Sequence, residues 1–178
     1  MSEIKPGAPV KEGYLEFKFQ PSWRVWKWDG HPSYRNGIQK LQTSEAVDFV
    51  GLRGSDLVCF IEVKDYRGHS RKKNDDLVTW VARKVRDTVA GIVGAHYMRS
   101  DGSDWKLHLD AWSENRRLQV LLWLEGDHLT KAELAVLTDG LKRRLRWLTS
   151  HVLVANLADP PGLGFSVRNL PGAGQGRH

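Results

Sequence analysis

AVDFVGLRGSDLVCFIEVKDYRG, residues 46 to 68, holds two apolar runs of strand composition on either side of a turn. Val47 to Leu52 (VDFVGL) and Leu57 to Lys64 (LVCFIEVK) are rich in Val, Ile, Leu and Phe, which pack well on a pleated surface, and Arg53-Gly54-Ser55-Asp56 between them is turn-forming. The expectation is an antiparallel hairpin. Side chains alternate faces along a strand, so Glu62 and Lys64 share one face while Cys59, Ile61 and Val63 take the other. A three-residue connection at Gly54-Ser55-Asp56 sets Asp48 directly opposite Glu62, whereas a two-residue turn at Gly54-Ser55 sets it opposite Ile61.

Outward from this hairpin, a charged loop (RGHSRKKND, residues 67–75) leads into a segment from Asp76 to about Met98. There Val78, Val81, Val85, Val89, Ile92 and His96 recur at helical spacing, which predicts a long amphipathic helix. Residues 99–116 take no clear assignment. Leu118 to Leu124 (LQVLLWL) is apolar nearly throughout, as a central strand covered on both faces should be. Thr130-Lys131-Ala132-Glu133 matches a capping box, so a helix is expected to start there and run through Leu137, Leu141, Leu145 and Leu148. His151 to Leu157 (HVLVANL) reads as another buried strand, parallel to the one before the helix. Upstream, Leu15 to Phe19 and Trp23 to Trp28 alternate around Gln20-Pro21-Ser22 and read as an N-terminal hairpin. Tyr34, Ile38 and Leu41 suit one face of a short helix that Gly37 weakens. Residues 1–13 and 159–178, rich in Gly and Pro, read as an arm and a tail around a single domain, 14–158. The fold class is α/β (α+β): a mixed sheet flanked by helices.

The 178 residues, 40% of them hydrophobic, suffice for one core. The lone Cys59 excludes an internal disulfide and any Cys-rich zinc site, and it suits a reducing, cytoplasmic compartment. No run is apolar and long enough to cross a membrane, and the first residues lack the apolar core of a signal peptide. A net charge of +6 with a pI near 9.5 favours polyanionic partners, nucleic acid first among them.

Asp48, Glu62 and Lys64 are the candidate catalytic residues. Two carboxylates roughly 4 to 6 Å apart repel unless a divalent cation makes both ionised forms favourable. All-oxygen ligation suits Mg2+ or Mn2+. Such an ion polarises a phosphoryl oxygen and lowers the pKa of bound water, and a neighbouring ammonium stabilises charge on the phosphorus or positions the attacking water. Against this stands the plain reading of a turn-forming Asp48 and a solvated Glu62–Lys64 pair. The apolar run Leu57 to Ile61 weighs against it, because charges ending a doubly covered strand are costly unless paired or metal-bound.

The same run resembles the signature of the PD-(D/E)XK, or restriction-endonuclease-like, nuclease superfamily, with Asp48 as the first acid, Glu62-Val63-Lys64 as the E-x-K, and Val47 where a proline is usual. The resemblance implies a central mixed sheet flanked by helices, metal ligation by Asp48, Glu62 and the Val63 carbonyl, and cleavage of DNA or, less often, RNA. Many members add an acid from an N-terminal helix; Glu16 or Glu45 would have to supply it here. The alternative is a catalytically inactive member acting as a nucleic-acid-binding or protein-interaction module, and a protein partner or a homodimer stays open as well.

Arg67, Arg71, Lys72 and Lys73 follow the second strand directly and are the candidate phosphate contacts. Arg83, Lys84 and Arg86, like Lys142, Arg143, Arg144 and Arg146, read equally as solvent faces or as a nucleic-acid track. Trp26 and Trp28 read as one buried sheet face in preference to a stacking platform, and His69 as incidental.

Overall fold

The computed structural model describes residues 3–67, 76–98 and 117–172. Its centre is a five-stranded sheet of β3 (Trp23–Lys27), β4 (Phe49–Arg53), β5 (Leu57–Asp65), β6 (Arg117–Glu125) and β7 (Val152–Ala155), side by side in that order. The first three are antiparallel neighbours, and β5, β6 and β7 are parallel. β5 is thus the strand at which the sheet changes sense. The expected hairpin forms with the three-residue connection: Arg53 pairs with Leu57 and Phe49 with Ile61, and Gly54 adopts a left-handed φ of +51° that glycine takes without strain.

Helices cover one face of this sheet. A single turn α1 (Pro32–Arg35) and a 3-10 turn (Ile38–Lys40) stand where one short helix was expected, broken at Gly37. The long helix α2 (Leu77–Met98) and α3 (Lys131–Leu145) follow the predicted spacing. α3 begins with the full capping box: the Thr130 hydroxyl accepts from the Glu133 N–H, and the Glu133 carboxylate accepts from the Thr130 N–H. Leu77, Val81, Val85 and Ile92 of α2 and Leu134, Leu137, Leu141 and Leu145 of α3 pack on Trp26, Val50, Val58, Phe60, Leu122 and Val154. Trp26 and Trp28 are buried in this layer, as their period of two implied.

The other face departs from expectation. β2 (Leu15–Phe19) does not form a hairpin with β3. It lies between β1 (Pro9–Glu12) and β8 (Phe165–Asn169) in a separate three-stranded antiparallel sheet. Strands therefore occupy parts of the segments expected to be an arm and a tail. The reason is the apolar underside of the main sheet: Phe49, Cys59, Ile61, Leu121 and Trp123 need a cover, and Leu15, Phe17, Phe19 and Phe165 provide it. The Phe17 ring meets those of Phe49 and Trp123 at 5.5 and 5.7 Å. The molecule has three layers: helices, main sheet, small sheet. Among the described residues, no helix is long and apolar enough to cross a membrane.

Candidate active site

Glu62 and Lys64 fall on the even-numbered face of β5, with Val58 and Phe60, and so turn towards α2. Asp48, one residue before β4, continues the ladder opposite Glu62 and takes the same face. Its backbone is held firmly. The Asp48 carbonyl accepts from the Trp28 N–H at 2.8 Å, and the preceding residues hang on α2: the Val47 N–H donates to the Thr88 hydroxyl at 3.0 Å and the Glu45 N–H to Asp87 Oδ2 at 3.1 Å. The Asp48 side chain reaches across the sheet end, where Oδ2 accepts from the Val63 N–H at 2.7 Å.

Burial makes these charges expensive. Glu62 is 1% exposed and Asp48 7%. Burial pushes the Asp48 carboxyl up to about 6, opposed chiefly by the Lys84 charge and reinforced by that of Glu12. Glu62 is driven well above the usual carboxylate range by burial first and then by Asp48. Its two oxygens differ. Oε1 accepts from Lys84 Nζ at 2.7 Å, and Oε2 is buried without a hydrogen-bond partner among the described residues.

Lys64 rests on the face of the Trp80 indole, 3.9 Å from the ring centroid, with Lys84 at 4.3 Å from the same ring. Trp80 and Lys84 are one turn apart on α2 and share a face. Neither was picked out from the sequence, although their position beside the Leu77–Val81–Val85 stripe is a signal that this part of the helix faces the sheet. Glu12 was also missed. Its Oε2 is 2.8 Å from Lys27 Nζ, and its charge acts on Asp48. Nothing in its local sequence marks it, since it reaches the site only because β1 belongs to the second sheet.

Of the two acids named for the N-terminal role, Glu16 has its carboxylate engaged elsewhere. Glu16 pairs with Arg168, whose hydrogen bond holds the Glu16 carboxyl below its ordinary range. Glu45 donates its backbone N–H to Asp87 Oδ2, and its own carboxylate Oε2 is buried without a hydrogen-bond partner among the described residues. Arg67 is bound to Asp65, Nε to Oδ1 at 2.8 Å, and also to Asn169 of β8. Arg71, Lys72 and Lys73, like His69, lie outside the described residues. An apolar cleft of about 460 Å3 between the 3-10 turn and α2, lined by Ile38, Leu41, Ala90 and Ala95 among others, has no titratable side chain in its wall and lies apart from this chemistry.

Among the described residues, no group of three or more His, Cys, Asp or Glu side chains could hold a metal ion. The pair Asp48–Glu62 nevertheless suits a hard divalent cation. Both donors are oxygens, one of them a buried acceptor without a partner, and Mg2+ keeps several waters and needs only one or two carboxylates. A strand residue points its N–H and C=O to the same side, so the Val63 carbonyl faces the Asp48 side along with its N–H. Comparison with protein-family models, with curated proteins and with solved structures found no match to this chain.

Proposed function

We propose that this protein hydrolyses phosphodiester bonds of nucleic acid, DNA in preference to RNA, at a PD-(D/E)XK-type site in a restriction-endonuclease-like fold. The observation that carries the proposal is the pairing of two buried carboxylates, Asp48 and Glu62, across neighbouring strands, with Glu62 Oε2 lacking a partner among the described residues. Asp48, Glu62 and the Val63 carbonyl would hold Mg2+ or Mn2+. When bound, such an ion supplies Lewis-acid polarisation of the phosphoryl oxygen and a more acidic water.

The chain's own groups do the rest. The Val63 N–H fixes the Asp48 carboxylate, the Trp28 N–H fixes the Asp48 carbonyl and the Thr88 hydroxyl holds the N–H of Val47 beside it, so the acid is oriented before substrate arrives. Lys64, held on Trp80, supplies an ammonium beside the acids that stabilises negative charge gathering on the phosphoryl oxygens. Arg71, Lys72 and Lys73, which follow β5 in the sequence, would draw in the phosphate backbone, while Arg67 is held by Asp65 and Asn169.

The test is cleavage of single- and double-stranded DNA and of RNA with Mg2+, with Mn2+ and with chelator, for wild type, D48A, E62A and K64A. Metal-dependent cleavage lost in all three variants supports the assignment, and D48A cleaving at the full rate refutes it. A second reading, an inactive module that binds nucleic acid, is favoured by one observation: Lys84 already neutralises Glu62. Metal-independent binding without cleavage on every substrate would identify it.

A further inference from the structure

Lys84 is outside the E-x-K signature, yet it is the cation most closely engaged with the acids. Its ammonium lies 2.7 Å from Glu62 Oε1, its side chain is 12% exposed, and it provides the strongest favourable charge acting on Asp48. Lys64 has turned onto Trp80 instead. A group that bonds one carboxylate and favours the charged form of the other does part of what a divalent ion held by the pair would do.

We infer that Lys84 is a tethered stand-in for the metal ion, which pairs with Glu62 in the metal-free protein and has to be displaced from it before the two acids can hold a divalent cation. This rests on the metal-site reading above. Once released from Glu62 the ammonium keeps a favourable contact, because it already lies over the Trp80 ring, 4.3 Å from the centroid. Lys84 thereby sets the affinity for metal.

The experiment is calorimetric titration of the metal-free full chain with Mn2+, for wild type, K84M, K84R and E62Q, with circular dichroism to confirm that each is folded. Loss of the competing charge is expected to tighten Mn2+ binding in K84M by about tenfold or more, the scale of one charge–charge interaction near a protein surface. K84R, whose guanidinium grips a carboxylate through two parallel hydrogen bonds, is expected to bind Mn2+ more weakly than wild type, and this second variant reports even where K84M folds poorly. K84M binding at wild-type strength or weaker, with E62Q abolishing binding, overturns the displacement while leaving the metal site intact. Absence of Mn2+ binding in wild type and K84M alike overturns the metal-site reading, and this inference with it.

Discussion

Replacing Asp48 by Asn takes the charge from a carboxyl that is 7% exposed and keeps an oxygen able to accept the Val63 N–H. The fold raises this carboxyl from an ordinary 3.8 to about 6. An acid whose pKa is higher in the folded than in the unfolded state stabilises the fold only while protonated. The contribution of this carboxyl to stability is therefore greatest below about pH 3.8, falls as the pH rises to 6, and stays reduced above that. At 1.36 kcal/mol per pH unit, the cost at neutral pH is up to about 3 kcal/mol. The substitution also removes the Asp48 charge that burdens Glu62 and leaves the Lys84–Glu62 pair in place. In thermal unfolding with chelator present, D48N should melt above wild type at pH 8 by up to about 6 to 12 °C, the shift that such an energy produces in a domain of this size. The gain should shrink steadily towards pH 4. A D48N protein that melts at or below the wild-type temperature at pH 8 would refute the claim that the site is held against a folding cost.

Replacing Lys64 by Met should lower metal-dependent cleavage by roughly 10²- to 10³-fold, the usual loss for one preorganised charge-stabilising group, with the thermal midpoint nearly unchanged. Thr130→Ala removes the capping box of α3 and should cost about 1 kcal/mol in urea unfolding. Gly51→Ala would set a Cβ 2.8 Å from the Trp23 ring, and the overpacking should cost about 1 to 3 kcal/mol by the same assay. Leu141→Ala, at a fully buried position between α3 and the sheet, should cost about 2 to 5 kcal/mol.

The central hairpin, both long helices and the parallel pair β6–β7 were legible because each depends on local pattern: a turn, a 3.6-residue stripe, a capping box. The pairing of Asp48 with Glu62 was one of two registers that turn length left open in the sequence, and the structure takes the three-residue connection, with Gly54 at positive φ. β8 was not legible, because Phe165 to Asn169 is short and set among Gly and Pro, and what holds it in place is the ladder to β2 and the aromatic cluster of Phe17, Phe19 and Trp123. The same long-range demand took β2 away from β3. Within the site, Glu62 and Lys64 were visible because they share a strand, whereas Glu12 and Lys84 arrive from other layers. Lys84 in particular sits in a basic run that reads equally as a solvent face or a nucleic-acid track until α2 is laid on the sheet.

The change of sense at β5 has a bearing on how the chain folds. On its β4 side, β5 closes a turn of three residues, Arg53 to Leu57; on its β6 side, it waits for Arg117, and the small sheet waits for Asn169 to reach Leu15. Chain-closure entropy grows with the length of the loop, and non-local pairings are the slow ones. The β3–β4–β5 meander is therefore expected to assemble first. Asp48 and Glu62 then meet while water still solvates both, before α2 and the late strands seal them in, so their mutual repulsion is small at the moment their alignment is decided and grows only once the register can no longer slip.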